Sequence, residues 1–235
     1  VATGTIAMRV KVAFHSPAFG MARSMANTHK CDQNHKRIGL ALQSYELDHG
    51  TLPPAFIPGP DGKPMHSWRV LILPYLDEDG LFSNYNFNEP WDSPTNQQLA
   101  TRMPAVFACP ADPDSLILGE SNYMVIVGPD TMFPGSKSRE TGTIGDDLSS
   151  TISVVEIPIS GSSWLKPEDL TVEKMQFSIN GGFDNEIGSY HSGGAHVLMA
   201  DGDVKFLNEA LPSDFVEGMT TVNGGEPIPW DVLRN

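Results

Sequence analysis

Two pairs of residues have the types that could do chemistry. His191 and Asp201 are separated by nine residues that include Gly193 and Gly194, and Gly202 follows. An imidazole beside a carboxylate can act as a general acid–base dyad. The intervening pattern argues against that pairing. Asp201-Gly202 lies between the apolar runs His196–Ala200 and Asp203–Leu207, and Asp-Gly in such a setting is a preferred two-residue hairpin turn. Asp201 then sits at the tip and His191 beyond the foot, with roughly 33 Å of extended chain between them. The expected roles are an aspartate that makes the turn and a histidine that hydrogen-bonds a neighbouring loop. In that register Met199 opposes Val204 and Val197 opposes Phe206, which puts all four on one core-facing side.

The second pair is Cys31 and Cys109, the only cysteines. Two buried thiols are one reading. A disulfide is the expectation if the protein matures outside the cytoplasm. Two cysteines alone do not make a tetrahedral zinc site, and His191 and His196 lack the helical H-E-x-x-H spacing, so no metal or other cofactor is expected. Asp112, Asp114, Asp146 and Asp147 occupy loops of the kind calcium favours, without the order of an EF-hand. In so acidic a chain they read first as solvated turn residues. Trp68, Trp91, Trp164 and Trp230 could line a ligand groove, but they read first as core anchors. There is no G-x-S-x-G elbow, phosphate loop or dinucleotide fingerprint, and no enzyme is expected.

The elements that must carry these groups follow from periodicity. Ile6, Met8, Val10, Val12 and Phe14 alternate with polar residues, so residues 1–15 read as a leader or extra strand. Residues 16–235 read as a single domain. Ser16-Pro17 is a helix start, apolar residues recur at helical spacing, and His49-Gly50 before Pro53-Pro54 is a stop. The resulting helix is long enough to form a spine of about 48 Å. A Pro/Gly-rich loop follows over Thr51–Met65, then short helices over Ser67–Leu76 and Asp79–Tyr85. Strands are expected over Ala105–Ala108, Tyr123–Val127, Thr151–Ile157 and the Asp201-Gly202 hairpin, with a last short helix over Leu211–Met219. The class is α+β.

The charge balance narrows the partners. With 15 Lys and Arg against 29 Asp and Glu, the formal net charge is −14. Such a surface repels nucleic acid and anionic membranes, and it attracts cations or basic partners. No apolar run is long enough to span a membrane. The chain begins at Val1, so a signal or anchor upstream is an open expectation.

Several motifs together resemble a bacterial family. They are Cys31-Asp-Gln-Asn34, Arg37-Ile-Gly-Leu-Ala-Leu42 with Tyr45, Leu52-Pro53-Pro54-Ala55, Ser67-Trp68-Arg69-Val70, Leu73-Pro74-Tyr75-Leu76, Asn88–Ser93, Phe107-Ala108-Cys109-Pro110 and Val155-Glu156. The last is the H-x9-DG signature His191…Asp201-Gly202. This order resembles prepilin-type proteins of unknown function that are also labelled extracellular solute-binding family ten. The resemblance implies a pilin- or pseudopilin-like fold, with a long N-terminal helix packed on an antiparallel sheet among long irregular loops. It also implies export and an extracytoplasmic place, secreted or anchored to the cell envelope. The expected role is a structural or assembly module with protein partners in the envelope; the alternative is a module that binds a solute, a glycan or calcium. Family members carry a long apolar helix before the position of Pro17, whereas Val1–His15 contains Arg9, Lys11 and His15.

Overall fold

The computed structural model describes residues 17–158, 161–182 and 185–226. The expected strand before Phe14, the Ser16 cap and Trp230 lie outside them. Helix α1 (Pro17–His49) has 33 residues and is about 50 Å long. It stops where Gly50 takes a left-handed φ of 79° and its N–H bonds to the Glu46 carbonyl at 2.7 Å. Pro53 and Pro54 then bar any continuation.

Burial divides α1 in two. Residues 18–26 are all exposed. From Cys31 onward one stripe is buried, comprising Cys31, Asn34, His35, Ile38, Gly39, Ala41 and Leu42. That is the i, i+3/i+4 pattern of a helix lying on a surface. The surface is a five-stranded sheet of order β5-β3-β4-β6-β7, built from β3 (Tyr123–Val127), β4 (Ile152–Glu156), β5 (Leu170–Thr171), β6 (Gly194–Met199) and β7 (Val204–Asn208). All its pairings are antiparallel except β3 with β5. Gly39 brings the helix close to β6, since a Cβ there would lie 3.0 Å from Leu198 Cδ1.

Both faces of the sheet are covered. On one side Ile38, Ala41 and Leu42 of α1 pack with Val125, Val154 and Leu198, and Trp68, Phe107 and Trp164 extend this core. On the other, Met124, Val155, Val197, Met199 and Leu207 pack with Val216 and Met219, from α6 (Ser213–Gly218) and its C-terminal end. All six residues of β6 are buried, as a central strand covered on both sides requires.

Three readings need correction. The β6–β7 register pairs Leu198 with Val204 and His196 with Phe206, one step from the expected pairing. The turn holds three residues: Gly202 N–H bonds to Met199 O at 3.0 Å, and Gly202 takes φ 94°. This is a type I turn closed by a left-handed glycine, which shifts the register by one and turns Met199 and Val197 to the face opposite α1. Ala105–Phe107 is a 3-10 turn and not a strand. Phe107 and Ala108 bond back to Pro104 and Ala105, so their N–H groups are satisfied locally while Val106 and Phe107 stay buried. Within the Pro/Gly-rich loop, β1 (Phe56–Pro58) and β2 (Pro64–Ser67) form a small hairpin.

Short helices α2 (Trp68–Leu71), α3 (Asp79–Asn84), α4 (Pro94–Gln97) and α5 (Ser115–Leu118) occupy the irregular region. The first is locked to the sheet by a buried ion pair. Arg69 Nη2 lies 2.8 Å from Asp169 Oδ1 and donates to the Tyr123 carbonyl at 2.7 Å. Asp169 Oδ1 also accepts from Trp68 Nε1 and from the Val125 N–H.

Candidate functional site

Where α1 begins to bury, a group of ionisable side chains gathers from distant parts of the chain. Cys31 comes from α1, Cys109 from the loop after the 3-10 turn, Glu156 from the end of β4 and His191 from the loop before β6. One ligand-type atom from each lies within 4.8 Å of those of the other three, and all four residues are buried. Among the described residues no other group of three or more His, Cys, Asp or Glu side chains converges in this way.

His191 Nε2 lies 3.5 Å from Cys109 Sγ and 3.6 Å from Glu156 Oε1. Its other nitrogen, Nδ1, is 3.4 Å from Thr28 Oγ1, whose hydroxyl donates to the Ser24 carbonyl and is therefore free to accept from the ring. Glu156 Oε2 accepts from the His196 N–H at 2.9 Å and lies 3.2 Å from His196 Nδ1. Glu156 Oε1 is buried without a hydrogen-bond partner. Asn34 donates to the Ala108 carbonyl and to Tyr123 Oη, Asn122 Oδ1 accepts from the Cys109 N–H, and His35 Nδ1 sits 3.1 Å from the Cys31 carbonyl.

The electrostatics follow from these contacts. A hydrogen bond between the two thiols pushes Cys31 up and holds Cys109 down at about 7. Burial opposes the lowering of Cys109, while His191 and the Ala111 N–H assist it. Burial also works against a charged His191, but Cys109 and Glu156 outweigh it and raise the imidazole to about 10. Burial likewise opposes ionisation of Glu156, yet His191 and His196 hold its carboxyl well below the ordinary range. His35 faces the same field with burial dominant and falls to about 4.

The residues named from the sequence are distributed as follows. His191 lies in this cluster, and Asp201 at the far end of β6, so the two do not meet. Asp201 Oδ1 accepts from the Asp203 N–H, as a turn residue does. Gly193 takes φ 90° to enter the strand. A Cβ on Gly194 would run into the Leu207 carbonyl oxygen of β7. Cys31 and Cys109 are neighbours and are free thiols. The fold adds a carboxylate and an imidazole to the two cysteines, so four ligand-type residues meet where the sequence offered two. Asp112, Asp146 and Asp147 are spent on local donors: Asp112 on Ser115 and Asn122, Asp146 on Gly224 and Gly225, Asp147 on Ser149. Trp68 and Trp164 are fully buried core residues. Trp91 alone among the described tryptophans lines a cavity of about 520 Å³, together with Phe56, Met124, Lys166 and Asp169.

Sequence reasoning passes over Glu156 as a site residue and weighs His196 only as a metal ligand. Their signal was present, since a charged and an ionisable residue each interrupt a run of buried-strand character.

A long helix laid on a five-stranded sheet, with a buried thiol–imidazole–carboxylate cluster where the helix meets it, defines an α+β domain built around one closed polar centre. The chain belongs to the family described as "Protein of unknown function (DUF1559)", labelled a bacterial solute-binding family, whose model matches residues 21–154 and 160–214. Cys31, Cys109 and His191 fall inside the matched stretches and Glu156 falls between them. No curated protein and no solved structure matches the chain. No helix among the described residues is long and apolar enough to cross a membrane.

Proposed function

We propose that this chain is an extracytoplasmic, pilin-like structural or assembly module of the bacterial cell envelope, which works by binding other proteins and not by catalysis. The observation that carries the reading is the division of α1. Residues 20–26 are exposed, with Met21 and Met25 on one face at 68% and 71% exposure, while one stripe of the same helix is buried from Cys31 onward. Exposed apolar side chains one turn apart on a rigid helix are the form in which helices pack into larger assemblies. The test replaces Met21 and Met25 with Asp in the full-length protein in its own cell. The variant is expected to leave the large envelope fraction while the purified protein melts as before. Unchanged fractionation overturns the assembly reading.

Absence of catalysis rests on the cluster's geometry. A Cys–His–carboxylate triad places its carboxylate on the imidazole nitrogen remote from the nucleophile. Here Cys109 and Glu156 both address Nε2, and Nδ1 faces Thr28. The cluster is also closed to a substrate. A broad hydrolase panel is expected to be blank, and turnover lost in His191→Ala overturns this part.

Solute binding is the second reading, favoured by the family label and the cavity beside Trp91. It predicts that a bound solute changes Trp91 emission, and that Trp91→Ala abolishes its binding.

A further inference from the structure

We propose that Cys31, Cys109, Glu156 and His191 form a four-ligand site for a thiophilic divalent cation, zinc in the first instance, which fastens α1 to the sheet. The ligand set is a mixture of thiolate, imidazole and carboxylate, which suits zinc and excludes calcium and magnesium as preferred occupants. Edges of a zinc tetrahedron with sulfur and nitrogen ligands are about 3.3–3.8 Å long. The Cys109 Sγ–His191 Nε2 distance of 3.5 Å is already such an edge, and the whole set lies within 4.8 Å. Small rotamer adjustments complete the closure.

A second, independent observation is Glu156 Oε1, an oxygen of a carboxylate that is 1% exposed, which faces the cluster and accepts no hydrogen bond, with the His191 ring nitrogen at 3.6 Å as an ion-pair contact. A buried carboxylate oxygen without a donor is costly, and a cation meets that need directly. A Cys31–Cys109 disulfide would use the two sulfurs and leave Oε1 as it is.

The surroundings orient each ligand. His191 is positioned through Nδ1 by Thr28, which leaves Nε2 for the cation, and Glu156 is held through Oε2 by His196, which leaves Oε1. The Tyr123 hydroxyl bonds to Cys31, and the Ala111 N–H bonds to Cys109. Outer hydrogen bonds of this kind fix tautomer and direction at metal sites. With four protein ligands and full burial the site is closed, the arrangement of structural zinc.

The test uses the full chain, reduced and freed of metal, and adds cobalt(II) and then zinc. One equivalent of cobalt should give tetrahedral visible bands together with a thiolate-to-cobalt charge-transfer band, both abolished by one equivalent of zinc. Zinc should raise the melting temperature by mass action and calcium should leave it unchanged. Cys109→Ser and His191→Ala should each lose the stoichiometric complex. Because either could fold poorly, Thr28→Val is the second variant: it should fold and bind zinc about 10- to 100-fold more weakly. Reduced protein that takes up no cobalt, or cobalt spectra without the thiolate band, overturns the proposal. So does zinc affinity unchanged in Thr28→Val and His191→Ala.

Discussion

Gly194 and Gly202 are both glycines of the H-x9-DG signature, yet they are needed for different reasons. Gly202 closes the turn at φ 94°, and a side chain there meets the end of Gln43, which can swing away. Gly194 lies against β7, and a side chain there meets the Leu207 backbone and the Phe206 ring. Gly202→Ala is therefore expected to cost about 1 kcal/mol, from backbone conformation. Gly194→Ala should cost more, up to about 3 kcal/mol, because two paired strands must separate. Urea unfolding of the two variants checks the order, and an equal or reversed cost would show that the close approach is not rigid. Arg69 provides the larger effect. Removing it leaves Asp169 buried without its counter-charge, so Arg69→Ala is expected to lose roughly 3–5 kcal/mol. Arg69→Lys should recover little, since Arg69 serves Tyr123 O through both Nε and Nη2 while it pairs with Asp169. At this scale much was legible in advance: the turn role of Asp201, the separation of His191 from it, and the core roles of Trp68 and Trp164. The cluster was not. Its members lie at 31, 109, 156 and 191, and only the packing of a helix across a sheet brings such distant positions together.

Helix α1 was the most legible element, because a stop at Gly50 and apolar spacing from Ile38 to Tyr45 are local signals. The division along its length was less so, as Ala18, Ala22 and Met25 recur at the same helical spacing yet face solvent. That contrast is measurable. Met25→Ala should change stability by no more than about 0.5 kcal/mol, as at other exposed sites. Ile38→Ala, inside the core, should cost about 2–5 kcal/mol. Comparable losses at the two positions would mean that the first turns of α1 are packed. The hairpin was legible in place and not in register. A two-residue and a three-residue turn share the same Asp-Gly signal, and one residue of difference reverses the facing of every side chain in the strand. The 3-10 turn at Ala105–Phe107 escaped for a related reason: an apolar tetrapeptide has the composition of a strand whether or not a partner strand exists.

Over the whole molecule the formal charge is −14, and the described residues set few ion pairs against it. Lys36–Asp32, Lys63–Asp61 and Lys166–Glu168 are surface contacts, of the kind that contributes little. Self-repulsion should thus weaken the fold at low ionic strength, and the melting temperature is expected to rise as sodium chloride is raised from about 10 mM to about 150 mM. A fall would mean that attractive surface pairs outweigh the repulsion. Two cores on opposite faces of one sheet leave β6 as the shared wall, and α1 is seated on it from Cys31 onward. Mechanically the helix is then a lever with its fulcrum at Cys31. The arm from Pro17 to that point is roughly 20 Å long, so a tilt of about 10° at the fulcrum sweeps the Pro17 end through about 3.5 Å. Aim at the far end is therefore governed by stiffness at one layer of side chains, and a force applied to the tip is delivered first to Thr28 and Cys31 and through Thr28 to His191.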